Sequence, residues 1–220
     1  MKLLNYQDTE ITVVQATNNP GKLCKLACDH TMVAEPETGK EASKSLLKFL
    51  VKAEHTSVLE HCVMTFAIKG VSRSLMAQVT RSRVSSPTCQ SQHYQDYSEA
   101  PMVINESYFN RNSVLYSEAL TKSLGYYKEL LANSETKEEA RQVLPNAAAV
   151  NILWTVNARE LMLFLRQRLC RRNVEEMYVF AHSILLECFR WWPELFEFAG
   201  APCAMDGKCN QGRMRSPLCK

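Results

Sequence analysis

The sequence predicts a single α+β domain with a mixed sheet and long helices, and three observations carry that expectation. Alternating and β-branched stretches near the N-terminus have the period of strands, and helical periodicity dominates beyond residue 106. No linker, repeat or low-complexity run divides the chain. At 220 residues it fits one domain and is long enough to bury a core. The expected body is residues 1–200, followed by a loosely packed tail, 201–220, rich in Gly, Cys and basic residues.

Each element has its local reason. "EITVVQAT" (10–17) alternates and is β-branched, so it is expected as a strand that "NNPG" stops. "EASKSLLKFLVKAE" (41–54) sets Leu46, Leu47, Leu50 and Val51 on one helical stripe. "CVMTFAIKG" (62–70) is a second strand closed by Gly70, and 72–83 is a helix capped by Ser72 with Leu75, Met76 and Val79 inward. Pro87 breaks regularity, leaving 81–94 across a helix end and an irregular loop. Helices are expected over 106–132, 136–144, 146–170 and 173–190, with Pro145 in the first turn of the third.

Composition excludes several classes. Hydrophobic content of 46% with 22% charged residues is ordinary for a soluble protein. A net charge of +3 gives no footprint for nucleic acid, and no apolar run is long enough for a membrane helix. "MKLLNYQDTEITVV" lacks the apolar core of a secretory signal. Nine scattered cysteines, an odd number, fit a reducing compartment better than a disulfide framework, so a cytoplasmic setting is expected.

Four constellations carry chemistry. "EHTSVLEH" (54–61) holds His55 and His61, which lack metal-helix spacing; a satisfied histidine at a helix end explains them equally well. "RSRVSSPTCQSQHY" (81–94) is dense in donors and poor in apolar anchors. Arg81 and Arg83 would diverge by roughly 200° on a continuing helix. They would share only an extended ligand such as a dinucleotide, unless the helix ends there; solvated arginines are the simpler explanation. Asn157, Leu161, Phe164 or Leu165, and Arg168 fall on one face of the expected long helix, polar at both ends. Such groups need partners, a nucleotide or another helix. Finally, Cys24, Cys28 and His30 are loosely spaced, and Cys203, Cys209 and Cys219 would form a thiolate site only with one outside ligand. Incidental thiols are the simpler reading, and no metal is expected. Phosphate-loop, dinucleotide-fingerprint and nucleophile-elbow motifs are absent from the sequence.

Taken together, these stretches resemble the flavin-dependent thymidylate synthases, the ThyX type. That family's signature is R-H-R-x-x-S-x-N-x-x-S-x-R followed by tyrosine, and Arg81, Arg83, Ser86, Ser91 and Tyr94 stand in register with it. "EHTSVLEHCVMTFAIKGVSRSLMAQVTR", "ARQVLP", "WTVNARELMLFL" and the tail "FAGAPCAMDGKCNQGRM" resemble further family segments, from about residue 45 onward. The resemblance implies a homotetramer that binds FAD and builds each active site from more than one subunit. It implies methylene transfer from methylenetetrahydrofolate to C5 of dUMP, with hydride from flavin reduced by NADPH. By position, His55, Arg81, Ser82, Arg83, Asn157, Arg159 and Leu163 fall to the flavin. Gln78, Cys89, Gln90, Ser91, Gln92, His93, Arg141 and Arg168 fall to the nucleotide, and Ser91, Arg168, His93 and Cys89 to the reaction centre.

The departures point the same way as each other. The signature histidine is Ser82, its asparagine Thr88, its last arginine His93, and a usual loop glutamate is Cys89. A helix asparagine is Leu163 and a histidine near the flavin is Arg172. Arginine only donates, whereas neutral histidine donates and accepts, so His93 would relax or invert base readout if it touches the base. A thiol at 89, its pKa lowered by nearby arginines, would be a candidate nucleophile; a small neutral filler is the simpler account. Three expectations therefore stand beside plain dUMP methylation: hydroxymethylation of dUMP, methyl or hydroxymethyl transfer to dCMP, and a non-catalytic nucleotide-binding relative.

Overall fold

A computed structural model of the chain describes residues 1–133 and 135–219. Strands β1 (Leu3–Asn5) and β5 (Met102–Ile104) pair in parallel, Leu3 beside Met102. The main sheet orders its strands β2 (Glu10–Ala16), β3 (Val63–Ser72), β6 (Ala149–Asn157), β4 (Ser85–Cys89). The helices are α1 (Pro20–Met32), α2 (Lys44–Lys52), α3 (Arg73–Val79), α4 (Glu106–Arg111), α5 (Ser113–Ala132), α6 (Lys137–Ala140), α7 (Ala158–Arg168) and α8 (Glu175–Trp191). Two short ones follow, α9 (Pro193–Phe196) and α10 (Pro202–Met205). The α+β class with a mixed set of strands is as expected.

Contacts group the chain into two compact units. The first comprises 1–11, 67–81 and 87–153; the second comprises 12–66, 82–86 and 154–220. All four strands of the main sheet begin in one unit and end in the other. In the first unit, Leu75, Val79, Tyr97, Met102, Leu120, Leu124 and Tyr127 are buried, and the Tyr127 hydroxyl accepts the Tyr97 N–H at 3.2 Å. In the second, Phe66, Trp154, Phe164 and Phe180 form an aromatic run with neighbouring ring centroids 5.1–6.3 Å apart, an edge-to-face spacing that adds to plain area burial.

Several sequence expectations are corrected. The 146–170 helix is two elements. Ala149–Asn157 alternates buried and exposed residues and is strand β6, and only Ala158–Arg168 is helical. A run of three alanines has helical propensity, but Val150, Ile152, Trp154 and Val156 bury one face at period two, and sheet pairing wins. Pro145 therefore precedes a strand and opens no helix: the Ala148 N–H bonds its carbonyl at 2.9 Å. Helix α1 was hidden behind "NNPG": Asn19 caps it by accepting the Lys22 N–H, and Pro20 occupies its first turn. Gly70 lies inside β3 at φ +74° and does not close it. Residues 85–89, expected as loop, form the edge strand β4, where Pro87 is tolerated because an edge needs fewer ladder donors. The 106–132 stretch is two helices meeting at Asn112. Ser72 caps α3, as the sequence implies, Ser43 caps α2, and the tail is largely exposed.

Candidate active site

In the first unit, the site residues lie on the loop after β4 and on α6. Helix α3 ends at Val79, because Thr80 turns out of it, so Arg81 is exposed beyond the helix. Gln90 locks the start of the loop to β6. Its N–H donates to the Asn151 carbonyl at 2.8 Å, and its Oε1 accepts the Asn151 N–H at 3.1 Å. The Ser91 hydroxyl accepts the His93 N–H at 3.1 Å, folding the chain into a short turn. Gln92 is buried, whereas His93 and Tyr94 are exposed and touch edge-to-face at 4.6 Å. Lys137 donates to the Tyr94 carbonyl at 3.0 Å.

One carboxylate organises this loop. Glu138 Oε2 lies 3.2 Å from His93 Nδ1, within ion-pair distance, and its Oε1 accepts from Arg141 Nη2 at 3.3 Å. It stands in the first turn of α6, which Thr136 and Glu139 close with a reciprocal capping box. The structure thus joins His93 to Arg141 through a residue that the sequence reading passed over. The signal was available: Glu138 precedes Arg141 by three, a helical ion-pair spacing. Gln78 bonds its own helix at the Ser74 carbonyl, 3.4 Å away. At Cys89 burial pushes the thiol up, and the Arg73 guanidinium offsets this only in part. A raised thiol is a poor nucleophile, so the neutral-filler reading is favoured.

In the second unit, the start of α7 forms one wall of a cavity of about 540 Å³. Asn157, Arg159 and Leu163 line it together with Thr56, Glu60 and Glu160. Asn157 is the N-cap of α7, its Oδ1 accepting the Glu160 N–H at 2.9 Å. Cap use occupies the acceptor end and leaves the amide donors for a ligand. Arg159 pairs with Glu60 on the 3₁₀ turn Thr56–His61. Glu160, also unforeseen, accepts from the Arg83 N–H and the Ser82 hydroxyl, while burial raises its carboxyl above the ordinary range. It thereby ties the 82–83 turn to α7. His55 is not among the lining residues; its ring packs 5.8 Å from Phe49, and its neighbours Glu54 and Thr56 line the cavity instead. Arg83 is exposed at the turn. Arg168 ends α7 half-buried, with Asn173 Oδ1 3.5 Å from its Nη1. The stripe Leu161, Phe164, Leu165 is buried as expected, but Asn157 caps its helix where mid-helix placement was expected.

Val51, Val84, Met162 and Phe198 give the cavity apolar walls, and Arg159 and Asn157 supply a cation and an amide. A family model described as thymidylate synthase complementing protein, Thy1, matches residues 2–194. The chain belongs to that family, the flavin-dependent thymidylate synthases. A family member from Clostridium tetani is 32% identical over 236 residues, covering 97% of this chain and 91% of its own. Another, from Nitratidesulfovibrio vulgaris, is 34% identical over 186 residues, covering 80% and 76%. Among solved structures, a UMP/dUMP methylase, PolB, from Streptomyces cacaoi bound with 5-Br dUMP superposes with a TM-score of 0.78 at 20% identity, covering 90% of this chain and 96% of its own. That likeness is one of fold. The family match begins at residue 2, well before the residue 45 where the sequence motifs begin, and ends ahead of the tail.

Proposed function

We propose that the protein is a flavin-dependent transferase that adds a one-carbon unit to C5 of a deoxypyrimidine monophosphate, dUMP in the first instance. The observation that carries this reading is the division of the site residues. Seven of the eight positions assigned to the nucleotide, Gln78, Cys89, Gln90, Ser91, Gln92, His93 and Arg141, belong to the first unit. Six of the seven assigned to the flavin, His55, Ser82, Arg83, Asn157, Arg159 and Leu163, belong to the second. Arg81 and Arg168 are the exceptions.

Flavin, when bound and reduced, supplies the hydride that completes the transferred carbon. Residues of this chain bind and orient. Arg83, Asn157 and Arg159 would hold FAD, with Glu60 and Glu160 fixing Arg159 and the Arg83 backbone. Arg141, held by Glu138, would meet the nucleotide's phosphate, whose two acceptors match a guanidinium fork. With Nδ1 turned toward Glu138, Nε2 is the His93 ring nitrogen left to face a base, and histidine can both donate and accept there. That would relax the readout given by a signature arginine, which only donates. NADPH as reductant, methylenetetrahydrofolate as carbon donor and a cytoplasmic setting complete the proposal. No helix among the described residues is long and apolar enough to cross a membrane. Assembly as a homotetramer fits the exposed Leu186 and Phe189 on α8 and Val114, Leu115 and Tyr116 on α5, which bulk water does not favour.

The test is flavin and nucleotide binding followed separately. The protein should purify yellow or take up FAD, and Arg141→Ala should weaken dUMP binding while leaving FAD binding intact. A colourless protein that cannot be reconstituted would favour the non-catalytic relative.

A further inference from the structure

Behind the α7 wall, the second unit holds a separate cavity of about 320 Å³, and four cysteines line it: Cys170, Cys203, Cys209 and Cys219. Three come from the tail, where five residues separate Cys203 from Cys209 and nine separate Cys209 from Cys219. The fourth, Cys170, lies far away in sequence, just past the end of α7. It is the outside ligand that the tail cysteines need, and it could be found only in three dimensions. We propose that these four thiols form a structural zinc site that fastens the tail to the back of α7.

Three features support thiolate ligation of a soft divalent cation. First, the chain is bent to bring the cysteines back. Gly207 (φ +67°) lies between Cys203 and Cys209, and Gly212 (φ +52°) between Cys209 and Cys219. A Cβ at either would meet nothing within 4 Å, so it is the left-handed backbone that calls for glycine there. Second, the loop bearing Cys170 is preset. The Asn173 side-chain amide donates to the carbonyls of Gln167, Arg168 and Cys170 at 2.9, 3.1 and 2.9 Å. Third, the surroundings are cationic. Arg166 and Arg172 tie α7 and its following turn to the tail through Asp206 and Gln211, and Lys208, Arg213 and Arg215 lie between the cysteines. Four thiolates around Zn²⁺ carry two net negative charges, which such neighbours favour.

Among the described residues no three potential ligands yet converge closely enough to hold an ion. Zinc binding at this site would displace the thiol protons and would have to draw the exposed tail onto Cys170, as metal sites commonly couple ligation to folding. Three of the four cysteines, Cys203, Cys209 and Cys219, lie beyond residue 194, where the family match ends. The site's mechanical link to the flavin and nucleotide residues is short, because Arg166 and Leu163 line both cavities and Cys170 follows Arg168 by two residues.

The test is metal analysis of the full chain expressed in zinc-supplemented medium and freed of loose ions by gel filtration. About one zinc per chain is expected. Cys209→Ser and Cys170→Ser should each lose most of it, and Cys28→Ser, outside the cavity, should keep it. Cobalt added to the chelator-stripped wild type should give the visible and near-ultraviolet bands of tetrahedral thiolate ligation, a reading that needs no variant to fold. Zinc-free protein that takes up no cobalt would overturn the proposal. So would a disulfide among these cysteines in freshly purified protein, or zinc fully retained in Cys170→Ser.

Discussion

The two units hold their site residues by different physical means. In the first, His93, Glu138 and Arg141 are tethered to one another across the surface, each at least partly exposed. Surface pairs of this kind contribute about 0–1 kcal/mol to stability. In the second, Asn157 and Glu160 stand at the start of α7, so the side chain proposed to meet the cofactor, Asn157, is also the one that caps the helix. Changes in the first unit should therefore alter selectivity with little effect on folding. Changes in the second should alter stability and cofactor affinity together.

The largest expected effect lies in the second unit, at its exposed turn. Arg83→Ala should lose a charge-assisted contact of about 1.5–3 kcal/mol, weakening FAD binding by roughly tenfold to 150-fold. Titrating the apo protein with FAD and following flavin fluorescence checks this; unchanged affinity removes Arg83 from the site. In the first unit, His93→Arg replaces a side chain that donates and accepts with the donor-only residue of the family signature. The ratio of kcat/KM for dUMP over dCMP should then rise by about tenfold, the worth of one hydrogen bond, while Tm stays put. A ratio that does not move makes His93 a packing residue.

Two smaller effects sharpen the contrast. Asn157→Ala should cost about 1 kcal/mol through the lost cap, read from denaturant unfolding of the apo protein. Asn157→Asp should restore the cap but not FAD affinity, separating the two roles of one side chain. Glu160 gives a pH signature. Burial raises its carboxyl above the ordinary value against the opposing bonds from Arg83 and Ser82. Its ionised form therefore costs stability above the folded pKa, and that cost vanishes below the unfolded one, near 4. Glu160→Gln should raise Tm at neutral pH, and the gain should shrink as pH falls through the carboxylate range. A gain that is constant with pH would mean that the substitution acts through packing.

Legibility followed the length scale of the physics. The cap at Ser72 and the buried stripe of α7 are local and were readable from spacing. Strand β6 was not, because the alanine run 147–149 that leads into it favours helix and only its neighbours in the sheet decide otherwise. Arg83 and Asn157 are assigned to the site from motif register. Glu160, which bonds the Arg83 N–H, was not foreseen, and the pairing of Glu60 with Arg159 joins residues 99 apart. Likewise, three tail cysteines were visible in sequence, but Cys170 as a fourth was a matter of tertiary placement.

The central claim is that one unit holds the cofactor and the other the nucleotide for one-carbon transfer. The most direct test incubates the FAD-loaded protein with dUMP, methylenetetrahydrofolate and NADPH and weighs the nucleotide. The account predicts a product heavier by one CH2, or by CH2O if water completes the reaction instead of hydride, formed at C5. Unaltered dUMP from protein that demonstrably holds both FAD and dUMP would contradict it.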